Sequence, residues 1–161
     1  MSDFGETWRL IRKRFDDAVL DKSAEQLNWV LHSDALTLGE MAIHVAGVEV
    51  SFCSQLTDTP TEGELDRVRR AATDGSVNNL PFPFSRDEIT PELVKWALDT
   101  AREMTAKVID DTSPELRSKQ IQSALGPIVD GTGALARLAY HPGYHQGQAY
   151  LIESAPGFPL T

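Results

Sequence analysis

Two histidines one helical turn apart dominate the chemistry this sequence could carry: His141 and His145, in the run His141-Pro142-Gly143-Tyr144-His145-Gln146-Gly147-Gln148. Leu138, His141, His145, Gln148 and Ile152 follow one another at steps of 3, 4, 3 and 4. At about 100° per residue, all five fall in one narrow sector of a helix. Two imidazoles and a carboxamide therefore occupy the centre of an otherwise apolar stripe. Burying such groups without partners costs roughly 1–3 kcal/mol each. An i, i+4 pair of histidines on one face can point at one ion. His44 lies on another amphipathic segment, at the border of its apolar stripe, where it could face the first pair.

Three neutral imidazoles leave a divalent ion with open coordination positions. Water, hydroxide or a thiolate could fill them, and a bound ion lowers the pKa of water or thiol to give a nucleophile near neutral pH. Zinc and nickel both suit imidazole ligands. The competing reading is a set of hydrogen-bonded core histidines. Facing apolar stripes that hold three of the chain's four histidines favour the metal. His32, in the connection before the second long helix, reads as a surface residue.

Other metal chemistries fit less well. A helical metallopeptidase needs H-E-x-x-H, and Pro142 stands where that glutamate would be. A di-iron carboxylate bundle needs Glu-x-x-His on two helices, whereas Glu40 lies four residues before His44 and is better explained as a cap. Gln148 could bond a metal-bound water, a ligand imidazole, or simply a neighbouring helix. Glu49 borders an apolar stripe and is expected at a rim, with a carboxylate partner for a histidine as the alternative. Tyr144 could line a pocket. Trp8, Trp29 and Trp96 read as core, and Cys53 lacks a basic neighbour that would make it a nucleophile. No residue is singled out as catalytic.

These side chains need helices to hold them. Phe4, Trp8, Ile11, Phe15 and Val19 predict a first helix from about Asp3 to Leu20. Ser23 to Gln26 fits a short capped turn. Thr37-Leu38-Gly39-Glu40 is a capping box opening a second helix to about Leu56, with Leu38, Met41, Val45, Val48, Phe52 and Leu56 buried. Glu62 to Ala72 could be a short polar helix, and Asp74 to Ser85 reads as loop. Thr90-Pro91 starts a third helix whose inner face carries Leu93, Trp96, Ala97, Thr100, Met104 and Val108. Ser113-Pro114-Glu115 repeats the signal for a brief turn. The fourth helix begins near Asp130 to Gly133 and ends by Ser154. No run alternates convincingly as a strand. The expected fold is an all-α four-helix bundle, one domain over residues 1–161, with a long connection between the second and third long helices.

Composition narrows the partners. The chain has 161 residues, enough for one domain with its own core. Its net charge of −9 opposes binding to a polyanion, and the clusters Arg67, Arg69, Arg70 and Arg12, Lys13, Arg14 read as solvated helix faces. No membrane span and no signal-peptide pattern is legible, and a single cysteine excludes an internal disulfide, so a cytoplasmic protein acting on a small molecule is expected.

Two stretches resemble the DinB-like family, within the wider DinB and YfiT-type metalloenzyme superfamily. One runs from Leu36 to Glu49, where His44 is followed five residues later by an acid; the other is the H-x-x-x-H-x-G-Q run from His141 to Gln148. The resemblance implies a four-helix bundle, frequent homodimers and a divalent metal on three histidines, which carry over to His44, His141 and His145. Relatives include transferases and isomerases that use bacillithiol, mycothiol or glutathione. The leading expectation is therefore a metal-dependent thiol transferase with a low-molecular-weight thiol as cosubstrate. The alternatives are a non-catalytic metal-binding or stress-associated homodimer, and a structural dimer whose histidines are only core groups. Pro142 departs from a regular helix and predicts a kink beside His141.

Overall fold

A computed structural model describes residues 4–160. The expected helix start at Asp3 lies outside the described residues. The elements, in chain order, are α1 (Gly5–Val19), α2 (Ala24–Leu27), α3 (Leu38–Thr57), α4 (Gly63–Arg70), α5 (Pro91–Val108), α6 (Pro114–Ser118), β1 (Gln120–Gln122), β2 (Ile128–Asp130) and α7 (Gly131–Glu153). The fold is thus mainly helical, as expected. No helix among the described residues is long and apolar enough to cross a membrane.

Local chemistry explains where the helices begin. Thr37 Oγ1 accepts from the Glu40 amide while Glu40 returns a bond to the Thr37 amide, and Ser23 and Gln26 form the same reciprocal cap on α2. Thr90, Ser113 and Asp130 each accept from the third residue beyond them. These bonds satisfy amides that a helix leaves without internal partners.

The long helices pack as α1 on α7, α3 on α5 and α3 on α7. Helix α3 is central. From Leu38 to Val50 every residue but Glu40 is buried, so its expected stripe is buried together with most of the opposite face. Gly143 lets α1 lie close on α7: a Cβ there would stand 3.0 Å from Ile11 Cγ2.

Several expectations need correction. Pro142 lies inside α7, so His141 and His145 belong to one helix, and the expected kink concerns the direction of its axis and not its continuity. A two-stranded antiparallel hairpin, with Ile121 opposite Val129, precedes α7 where no strand was expected. Its strands are three residues each, too short for an alternating pattern to emerge. Trp96 is exposed; α5 buries Val94, Ala97, Leu98, Ala101, Thr105 and Val108, a stripe rotated from the expected one because the packing against α3 selects it. Trp29 is half-buried, its ring edge-on to Phe158 with centroids 5.5 Å apart. Trp8 is buried as expected. Phe84 and Ile89 anchor the otherwise exposed connection between α4 and α5.

Arg12 and Glu49 are the largest departures. Arg12 was grouped with a solvated face and Glu49 with a rim, yet both are 1% exposed. Arg12 Nε donates to both Glu49 carboxylate oxygens at 3.0 and 3.2 Å, and Arg12 Nη2 donates to the Leu98 carbonyl at 2.8 Å. Asp16 accepts from Arg12 and also from Arg102 at 2.6 Å. Trp8 Nε1 donates to Glu49 at 2.9 Å. Glu49 thus ties α1 to α3 and partners no histidine.

Candidate metal centre

His44 on α3 and His141 and His145 on α7 meet where the two helices pack. Each offers a ring nitrogen, and the three nitrogens lie within 4.8 Å of one another. Ring centroids are separated by 5.1 Å for His44–His141, 4.9 Å for His44–His145 and 4.5 Å for His141–His145. The Nε2 atoms of His141 and His145 stand 3.0 Å apart. Two nitrogens held about 2.0–2.1 Å from one tetrahedral ion would be separated by only slightly more.

Outer hydrogen bonds orient the rings. Ala71 O lies 2.8 Å from His44 Nδ1, so Nδ1–H donates to that carbonyl and the lone pair is left on Nε2. The Ser76 hydroxyl stands 3.3 Å from the same Nδ1. His145 Nδ1–H donates to Gln148 Oε1 at 2.7 Å, which likewise leaves Nε2 as the electron-pair donor. Of the partners weighed for Gln148, the structure shows a histidine of the cluster. His141 Nδ1 is buried without a partner. In the metal-free protein a proton on His141 Nε2 can bridge to His145 Nε2, the bond that a cation would replace. The donor set therefore fits a divalent ion: two lone pairs are aimed by outer partners, and the third ring has nothing else to hold it.

The carbonyl that aligns His44 depends on a close helix approach. A Cβ on Gly47 would lie 2.4 Å from Val68 O and 2.8 Å from Ala72 N. Only glycine lets the end of α4, with Ala71 behind it, reach α3 beside His44.

Burial sets the protonation states. It lowers the pKa of His44, against the pull of the Ala71 carbonyl. His141 is lowered well below its ordinary value by burial and then by the neighbouring His145 and His44. His145 falls to about 4, through burial first and the charge of His44 second. All three rings are neutral at pH 7, the state a metal needs.

A stability prediction follows for the metal-free protein. Below the ordinary histidine pKa of 6.5, the unfolded chain takes up protons at these positions more readily than the folded chain does. Their contribution is intact above pH 6.5 and is lost as the pH falls toward the folded values. His145 alone should remove on the order of 2 kcal/mol between pH 7 and pH 5. Urea unfolding in EDTA measures this, and the slope should shrink in His145→Leu; an unchanged slope in that variant would count against it.

A cavity of about 910 Å³ opens over the cluster. Met41, Val48, Phe52 and Ile152 give it an apolar wall beside His44, His141, His145 and Gln148. Exposed Tyr144 lines it too, with its ring edge-on to His145 at 5.0 Å. His32 is exposed, as expected, yet also reaches the cavity wall. Cys53 is buried and its thiol is pushed up to about 12, which leaves it unreactive. Sequence reasoning missed Ala71 and Ser76, which lie in the segment it could read least. It also missed Arg137, which extending the histidine stripe back one turn from His141 would have found.

Comparison with known proteins gives one family. A model described as the DinB superfamily matches residues 4–149. No curated protein and no solved structure matches the chain significantly.

Proposed function

This chain belongs to the DinB superfamily, and on that footing we propose that it is a divalent-metal-binding protein, acting as a thiol transferase on a small molecule. His44, His141 and His145 are the proposed ligands, with zinc or nickel as the ion. The single observation that carries the reading is the convergence of three neutral imidazoles on the wall of an open cavity. What a bound divalent ion would supply is a lowered pKa for a thiol or water, and so a nucleophile near neutral pH.

The chain's own residues do the rest. Ala71 and Gln148 hold two rings with their lone pairs inward. The buried walls from Met41, Val48, Phe52 and Ile152 exclude water from one side of the cluster, which strengthens electrostatic interactions there. Tyr144 packs edge-on against His145 and limits its tilt. The homodimer that goes with the family resemblance and the cytoplasmic location expected from the composition remain part of this proposal. The exposed Tyr140, Tyr150 and Leu151 of α7 supply apolar surface for a second copy.

Elemental analysis of purified protein, followed by titration of the cobalt-substituted form with N-acetylcysteine, tests the reading. We expect one divalent ion per chain and a thiolate-to-cobalt absorption band. Absence of metal would overturn the proposal altogether. Metal without a thiolate band, or without turnover of any thiol and electrophile pair, would favour the non-catalytic metal-binding protein instead.

A further inference from the structure

Two cationic side chains line the cavity beside the neutral histidines: Arg137 on α7 and Arg86 in the connection between α4 and α5. Arg137 precedes His141 by four residues, one helical turn, so both stand on the same side of α7. Its acceptor among the described residues is a carbonyl of its own helix, Gly133 O, 3.0 Å from Nη1. No carboxylate pairs with it there. Arg137 is exposed, and whereas Arg9, Arg67, Arg69, Arg70 and Arg102 each reach an acid, it keeps guanidinium donors free on the cavity wall. Arg86 is held loosely, its Nε 3.8 Å from Glu40 Oε1, while the other oxygen of Glu40 is engaged by the Thr37 amide at 2.8 Å. The cavity's other acid, Asp34, accepts from Ser33 Oγ at 3.2 Å.

The histidine cluster points the same way. It contains no carboxylate. A divalent ion on neutral ligands would keep its full charge and favour an anionic ligand. An arginine fork with unused donors is matched in geometry by a carboxylate.

We infer that the ligand of this cavity is a small organic acid whose carboxylate is held by Arg137, with Arg86 as a second cation. Its apolar portion lies against Met41, Val48, Phe52 and Ile152, and its other end reaches the histidine cluster. The last contact rests on the metal reading above; the Arg137 contact does not.

The test compares two thiols of the same shape, N-acetylcysteine and its neutral amide N-acetylcysteinamide. Each is titrated calorimetrically at low salt, with saturating zinc, into the wild type and into Arg137→Gln. Both ligands bring the same thiol to the cluster, so the difference between them reads the carboxylate. The acid should bind the wild type about fivefold more tightly than the amide, and the preference should fall below about twofold in Arg137→Gln. Metal content, measured separately, should be the same in both proteins. Equal affinities in the wild type, no binding of either compound, or a preference that survives Arg137→Gln would overturn the inference. Because the ratio is measured whether or not zinc is retained, loss of the metal reading shows in the metal content and loss of the carboxylate reading shows in the ratio.

Discussion

Replacing His145 by alanine is expected to weaken zinc binding more than about 100-fold, beyond the 10- to 100-fold that loss of an outer hydrogen-bond partner costs. His145 is the best-aligned member of the cluster. Its Nδ1–H is committed to Gln148 Oε1, and its Nε2 faces His141 Nε2 at 3.0 Å. Without it, two rings from different helices must hold the ion alone. Gln148→Ala should fall in the lower range, since it frees the His145 ring without removing it. His32→Ala is the control: that histidine is exposed, reaches the same cavity and lies outside the cluster, so affinity should not change. Competition against a chromophoric chelator at pH 7.5 measures all three. If His145→Ala bound zinc as the wild type does, the ion would have to sit elsewhere.

Glu49→Ala is expected to destabilise the fold by roughly 3 kcal/mol, the low end of what breaking a buried ion pair costs, because the Arg12 guanidinium keeps Asp16. Both Arg12 and Glu49 are 1% exposed. Burial lowers the Arg12 pKa and Glu49 opposes that shift, yet an arginine does not give up its proton. Removing Glu49 leaves the guanidinium with Asp16 and the Leu98 carbonyl, and deprives Trp8 Nε1 of its acceptor. The double variant Arg12→Met with Glu49→Met should recover more than half of the loss, because neither member of the pair is then stranded and Asp16 keeps Arg102. Urea unfolding of Arg12→Met, Glu49→Met and the double variant completes the cycle. Single losses that simply add would show that the pair is not coupled.

This pair also shows why part of the molecule could not be read in advance. Arg12 stands between Lys13 and Arg14 on one side and Ile11 on the other. Its neighbours in sequence suggest a wet face, and its acidic partners lie four and thirty-seven residues away. Glu49 five residues after His44 matched a family pattern, but five residues turn a helix by about 500°, which points the two side chains apart. The hairpin before α7 and the wall made by Ala72, Gly75, Ser76 and Val77 come from pairings between separate segments. The expected inner face of α5 was off by a rotation for a related reason: two neighbouring stripes are both apolar, and packing against α3 selects between them.

What the sequence determined by itself was local. Caps at Thr37, Thr90, Ser113 and Asp130 satisfy amides within three residues, so the helix starts were legible. The spacing of His141, His145 and Gln148 places them on one face whatever surrounds them, and Pro142 did not break the helix that carries them. The tertiary structure alone decided that His44 comes within reach of that face, that Ala71 aligns it, that Arg12 is buried and that Arg137 lines the cavity without a carboxylate partner among the described residues. The reason is that hydrogen bonds and periodicity act over a turn or two, whereas convergence, burial and charge pairing depend on which surfaces α1, α3 and α7 present to one another.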